Sequence, residues 1–105
     1  MKLYLAGPMR GYPDSNFPAF AAATLKLRMA GHSVFNPAET DDLIEKHGHV
    51  ITPRMCLETD LAWIARYADA VALLPKWHRS LGAKAEVALA RAIHIPALPV
   101  REFLR

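Results

Sequence analysis

A single cysteine, Cys56, leaves the chain no partner for an internal disulfide, so its core must hold it together, and the composition suits a reducing cytoplasm. Cys56 falls within a helical pattern and reads as a buried structural thiol rather than a nucleophile. No apolar run approaches the length needed to cross a bilayer, so no membrane partner is expected. The apolar start Leu3-Tyr4-Leu5-Ala6 meets Gly7-Pro8 too soon to form the hydrophobic region of a signal peptide. Charge of one sign is also scarce. The net charge is +3 at pH 7, and the basic residues neither form a run nor interleave with aromatics as on nucleic-acid surfaces. That argues against a nucleic-acid polymer and for a small anionic molecule. The phosphate-loop lysine motif and the glycine fingerprint of dinucleotide sites are both missing.

What remains is an ordinary globular mix, 52% hydrophobic and 22% charged, in one 105-residue domain. A chain of this size buries roughly two-thirds of its unfolded surface, enough for a core without staples. Residues 2–6 form an apolar run closed by Gly7-Pro8 and read as a buried first strand, followed by a polar loop over 7–15. Asn16 can cap a helix whose face is Phe17, Phe20, Ala21 and Leu25 and whose end is Gly31. Residues 33–35 are β-prone and stop at Asn36-Pro37, giving strand two. A short helix is expected over 39–46, and Thr52-Pro53 opens a longer one with Met55, Leu57, Leu61, Ile64 and Ala65 inward. Residues 70–74 make strand three, Ser80 caps an alanine-rich helix to about 93, and residues 96–100 make strand four before a tail or helical turn.

Strands alternating with helices, each strand apolar on both faces, predict an α/β fold: a doubly wound, mainly parallel, Rossmann-like sheet in the order 2-1-3-4. Ligands of such sheets sit beyond the carboxyl ends of the strands where the winding reverses, here between strands one and three. Residues 7–12 and 75–82 would line that crevice.

Two carboxylates stand out by their surroundings. Glu86 has Gly82, Ala83, Leu89 and Ala90 at helical offsets, and Asp60 has Cys56, Leu57, Trp63 and Ile64, so neither has a local cation. Glu58, by contrast, has Arg54 one turn earlier. An acid among apolar neighbours either finds partners across the core or titrates high, as acid–base and nucleophilic residues do. On residue environment alone both readings stand. Gly7, Arg10 and Gly11 form a turn after strand one in which a guanidinium can meet phosphate or carboxylate. Ser80, with Gly82 beside it, offers a hydroxyl and free amides at a positive helix end, or serves only as its cap. Trp77 and Tyr12 lie in loops where an aromatic ring could stack on a base or simply pack, Trp63 reads as core, and His47 and His49 read as a solvated loop with no metal.

Taken together, Tyr4-Leu5-Ala6-Gly7-Pro8, Asp60-Leu61-Ala62-Trp63, Ala68-Asp69-Ala70 and Ser80-Leu81-Gly82 through Glu86 resemble the nucleoside 2-deoxyribosyltransferase superfamily, and within it the deoxynucleoside 5′-monophosphate N-glycosidase branch. Gly7 to Gly11, Asn36-Pro37 and Trp77 to Ala83 also resemble a small phage- and prophage-associated domain of unknown function. The likeness implies Glu86 as nucleophile at the anomeric carbon, Asp60 as general acid and Tyr4 as the group orienting the glutamate. It implies a substrate-binding set of Gly7, Arg10, Gly11, Asn36, Trp77, Ser80 and Gly82, a nucleotide or nucleoside as ligand, no cofactor, and a homo-oligomer. Pro8 stands where the monophosphate hydrolases carry serine, and Ala85 and Ala88 replace a tyrosine and a glycine around the glutamate. The expected function is hydrolysis of the sugar–base bond; base transfer between deoxyriboses and non-catalytic nucleotide binding or sensing are the alternatives.

Overall fold

The computed structural model describes residues 1–105. Four strands, β1 (Lys2–Ala6), β2 (Ser33–Phe35), β3 (Ala70–Leu73) and β4 (Ala97–Pro99), form one sheet in the order β2-β1-β3-β4. Every neighbouring pair is parallel, and the winding reverses between β1 and β3, so the fold is the doubly wound α/β sheet that the strand–helix alternation predicts.

The two-residue period of the central strands divides the core into two layers. Leu3, Leu5, Ala70, Ala72 and Leu74 face one side, where they meet Phe20, Ala23 and Leu27 of α1 (Phe17–Met29). Tyr4, Ala6, Val71 and Leu73 face the other, against Ile64 of α3 (Pro53–Tyr67) and Ala83, Val87 and Ala90 of α4 (Leu81–Ala92). Between them, α2 (Pro37–Lys46) leaves the carboxyl end of β2. The register of β1 against β3 is tied at its start, where the Lys2 amide donates to Asp69 Oδ2 at 2.7 Å.

Several local expectations shift. α1 buries Phe20, Ala23, Thr24 and Leu27, whereas Ala21 is exposed and Leu25 is 61% exposed. Both sets have helical spacing, and in an alanine-rich helix only the demand of the core for Leu27 decides which faces in. Asn16 does not cap α1: it adopts a left-handed conformation and turns its side-chain amide back to the Pro8 carbonyl at 2.8 Å. α2 begins at Pro37, two residues before the expected start, because Asn36 caps it through a hydrogen bond from the Ala38 amide to its Oδ1 at 2.9 Å. On α3, Met55 and Ala65 face solvent, while Asp60 joins Ile64 among the buried positions. The chain after β4 winds into a 3-10 turn, Val100–Phe103, that buries Phe103 in the α1 layer.

Candidate functional site

The site follows from the strand alternation. Because Leu3 and Leu5 serve the α1 layer, Tyr4 between them must point toward α3 and α4. Its phenol reaches the carboxyl ends of the central strands, where Glu86 projects from α4 and Asp60 from α3. Tyr4 Oη donates to Glu86 Oε2 at 2.5 Å, a charge-assisted hydrogen bond that fixes the carboxylate and leaves Oε1 free of it. Glu86 is 6% exposed and Asp60 8% exposed, and neither belongs to an ion pair.

Two acids close together in a poorly solvated place cannot both ionise cheaply. Burial, together with the charge of Asp60, pushes Glu86 up to about 8, against the stabilising hydrogen bond from Tyr4. Burial likewise raises Asp60 to about 6, and the charge of Asp41 adds to the effect. Tyr4 itself is held well above the usual phenol range by burial and then by Glu86, so it remains a donor. The pair therefore retains about one proton between these two values, shared within the site rather than assigned to one residue for good.

A cavity of about 720 Å³ opens directly onto this pair. Its size lies within the usual range for small-molecule sites. The loop after β1 lines it with Gly7, Arg10 and Tyr12, and the start of α4 contributes Ser80 and Gly82. Gly7 is required for close packing: a Cβ there would lie 2.8 Å from the Leu74 side chain. At Gly82 the nearest atom to such a Cβ is 3.8 Å away, which is ordinary contact. Ser80 is both a cap and a wall residue, since its Oγ accepts from the Ala83 amide at 3.1 Å.

Of the ten residues singled out from the sequence, seven (Tyr4, Asp60, Glu86, Gly7, Arg10, Ser80 and Gly82) converge on this cavity. The other three do not line it. Asn36 is buried as the cap of α2, Trp77 packs against the core layer of α3 and α4, and Gly11 is an exposed turn residue with φ of 80°. Cys56 corrects a further expectation, because it is half-buried and borders the cavity instead of the core. Burial raises its thiol to about 11, which keeps it protonated.

Residue-by-residue reading overlooked Asp41 and Glu45, which α2 brings to the same cavity. A signal was present: Asp42 finds Lys46 one turn on, at 2.9 Å, whereas Asp41 has Glu45 at that offset.

Residues 1–98 match the model of a protein family described as a domain of unknown function, DUF4406, and the chain belongs to that family. No curated protein and no solved structure matches it.

Proposed function

We propose that this DUF4406 member hydrolyses the sugar–base bond of a deoxynucleoside 5′-monophosphate, with Glu86 as nucleophile. The observation that carries this reading is the juxtaposition of an ion-pair-free Glu86–Asp60 pair, oriented by Tyr4, with a nucleotide-sized cavity bearing Arg10 and Ser80. The resemblance of the Tyr4, Asp60 and Glu86 segments to the nucleoside 2-deoxyribosyltransferase superfamily supports the same assignment.

The chemistry balances with groups already in the site. A carboxylate oxygen of Glu86 attacks the anomeric carbon, the carbon–nitrogen bond breaks, and the departing base takes the proton carried by Asp60. Water then attacks the same carbon, gives a proton back to Asp60 and releases Glu86. One nucleotide and one water yield one base and one deoxyribose 5-phosphate. The single proton shared by the pair is the number this step needs, and moving it from Glu86 to Asp60 prepares the nucleophile and the acid together. Arg10 and the amides at the start of α4 face the phosphate.

The test is base release from a panel of mononucleotides, followed by chromatography, with wild type and Glu86→Ala. We expect release by wild type and loss of at least about a thousandfold in the variant, as for removal of a nucleophile. Release that survives the substitution rejects the assignment. Diversion of product into a new nucleotide when a free base is added would identify a base transferase acting through the same intermediate. One observation favours a non-catalytic binder instead: burial keeps Glu86 largely protonated at neutral pH, which blunts a nucleophile. Recovery of intact, tightly bound ligand after long incubation would establish that reading.

A further inference from the structure

Between β1 and α1 the chain makes a turn that L-residues avoid. Asp14, Ser15 and Asn16 follow one another with φ of 51°, 53° and 61°, and none of them is glycine. In this left-handed conformation each Cβ crowds the following carbonyl oxygen, so such residues occur singly and not in runs. Each is disfavoured about tenfold against its right-handed alternative, and serine lacks even the tolerance of aspartate and asparagine. A strained run of this kind persists only where its surroundings hold it. Packing does not, because Asp14 and Ser15 are exposed. Hydrogen bonds do. The Ser15 amide donates to the Tyr12 carbonyl at 3.1 Å, and the Phe17 amide donates to the Asp14 carbonyl. Asn16 adds the one side-chain bond of the turn, from Nδ2 to the Pro8 carbonyl at 2.8 Å, and so ties the chain back across eight positions.

The strain is placed on the wall of the cavity. Tyr12, Ser15 and Phe17 all line it, on the same loop as Arg10. Phe17 also packs against the α1 layer, which anchors the far end of the turn. The geometry points to Asn16 as a positioning residue: its bond to Pro8 holds the left-handed turn, and the turn in that state seats Tyr12 and Ser15 against the ligand. This inference rests on the reading of the cavity as a nucleotide site, although the state of the turn can be read without a ligand. Latch and strain oppose each other, so two kinds of substitution act in opposite directions. Asn16→Ala removes the donor and keeps the strain, and the turn relaxes away from the cavity. Glycine at positions 14 and 15 removes the strain, since glycine takes positive φ as readily as negative, and the turn then keeps its shape without the latch.

Two measurements test it in the Glu86→Gln chain, which keeps a nucleotide intact under the proposed chemistry. One is calorimetric titration with dAMP, dGMP, dCMP and dTMP; the other is hydrogen-exchange protection of the amide at position 15. Both are made with Asn16→Ala added, and again with Asp14→Gly and Ser15→Gly joined to it, while circular dichroism verifies each fold. We expect Asn16→Ala to lower that protection and to weaken the tightest of the four nucleotides about tenfold, the scale of one strained residue released. Adding the two glycines should restore affinity to within about threefold and recover the protection. Asn16→Gly, which loses the donor but tolerates positive φ, should lie between the parent chain and Asn16→Ala; it also serves if the alanine variant does not fold. Protection and affinity both unchanged in Asn16→Ala overturn the latch. Affinity that falls and is not recovered by the glycines overturns it too, because Asn16 would then act by contact and not by holding strain; either result leaves the glycosidase reading standing. Failure of all four nucleotides to bind the Glu86→Gln chain removes that reading and the positioning role with it, whatever the exchange data show of the turn.

Discussion

At the scale of the residue, the proposed chemistry turns on where one proton resides between Glu86 and Asp60. Tyr4 biases that choice, because its hydrogen bond stabilises the ionised glutamate against the penalty of burial. If the proposed hydrolysis holds, the pair should give a bell-shaped dependence of kcat/KM on pH, rising near 6 as the first proton leaves and falling near 8 as the second does. Tyr4→Phe removes the donor and nothing else of comparable size. Both limbs should then move to higher pH, and kcat should fall about 10- to 100-fold, the cost of about one charge-assisted hydrogen bond. A pH–rate profile of the purified variant measures this. Lower activity with an unmoved profile would reduce Tyr4 to a packing residue. Glu86 and Asp60 were legible in the sequence because helical offsets reveal missing cations. Asp41 passes the same test, with Pro37, Ala38, Ile44 and Glu45 at its helical offsets, but that α2 turns it toward the cavity is not written in the spacing.

At the scale of the element, the strands and the order of the sheet were legible because parallel strands buried on both faces give continuous apolar runs. Helix faces were less so. α1 has alanine on most sides, and the buried line through Phe20 and Leu27 also carries Thr24, whose Oγ1 is buried with no hydrogen-bond partner. An unsatisfied hydroxyl costs about 1–3 kcal/mol, whereas valine has nearly the same shape without the polar atom. Thr24→Val should therefore stabilise the fold by about 1 kcal/mol, read as a higher urea midpoint at unchanged slope. A lower midpoint would mean that the hydroxyl has a partner after all. Asn16 and Asn36 show the limit of capping rules: both precede proline-containing helix starts, yet only Asn36 caps its helix, because Asn16 is engaged by the Pro8 carbonyl.

At the scale of the whole molecule, the site is carried at a cost to stability. Glu86 titrates at about 8 when folded, above its ordinary 4.5, and Asp60 at about 6, above 3.8. The folded chain thus holds more protons than the unfolded chain between these values, and stability falls as pH rises. The favourable part is complete below the unfolded carboxylate range and is gone once pH passes about 8. Glu86→Gln removes the larger contribution. Its unfolding free energy should equal that of wild type near pH 4 and exceed it near pH 9 by on the order of 3 kcal/mol. Urea unfolding at pH values across this range decides the matter; a wild type that gains on the variant with rising pH would contradict the burial argument.

Strand β1 serves two masters, since odd-numbered side chains fill one core while Tyr4 reaches the other. Slipping it by one position against β3, past the tie between Lys2 and Asp69, would present aliphatic groups to the acids and bury a phenol in oil. Greasiness would be nearly conserved, and chemistry lost. In descendants of this chain, gaps in the alignment should thus be tolerated in the loops but not within these five residues.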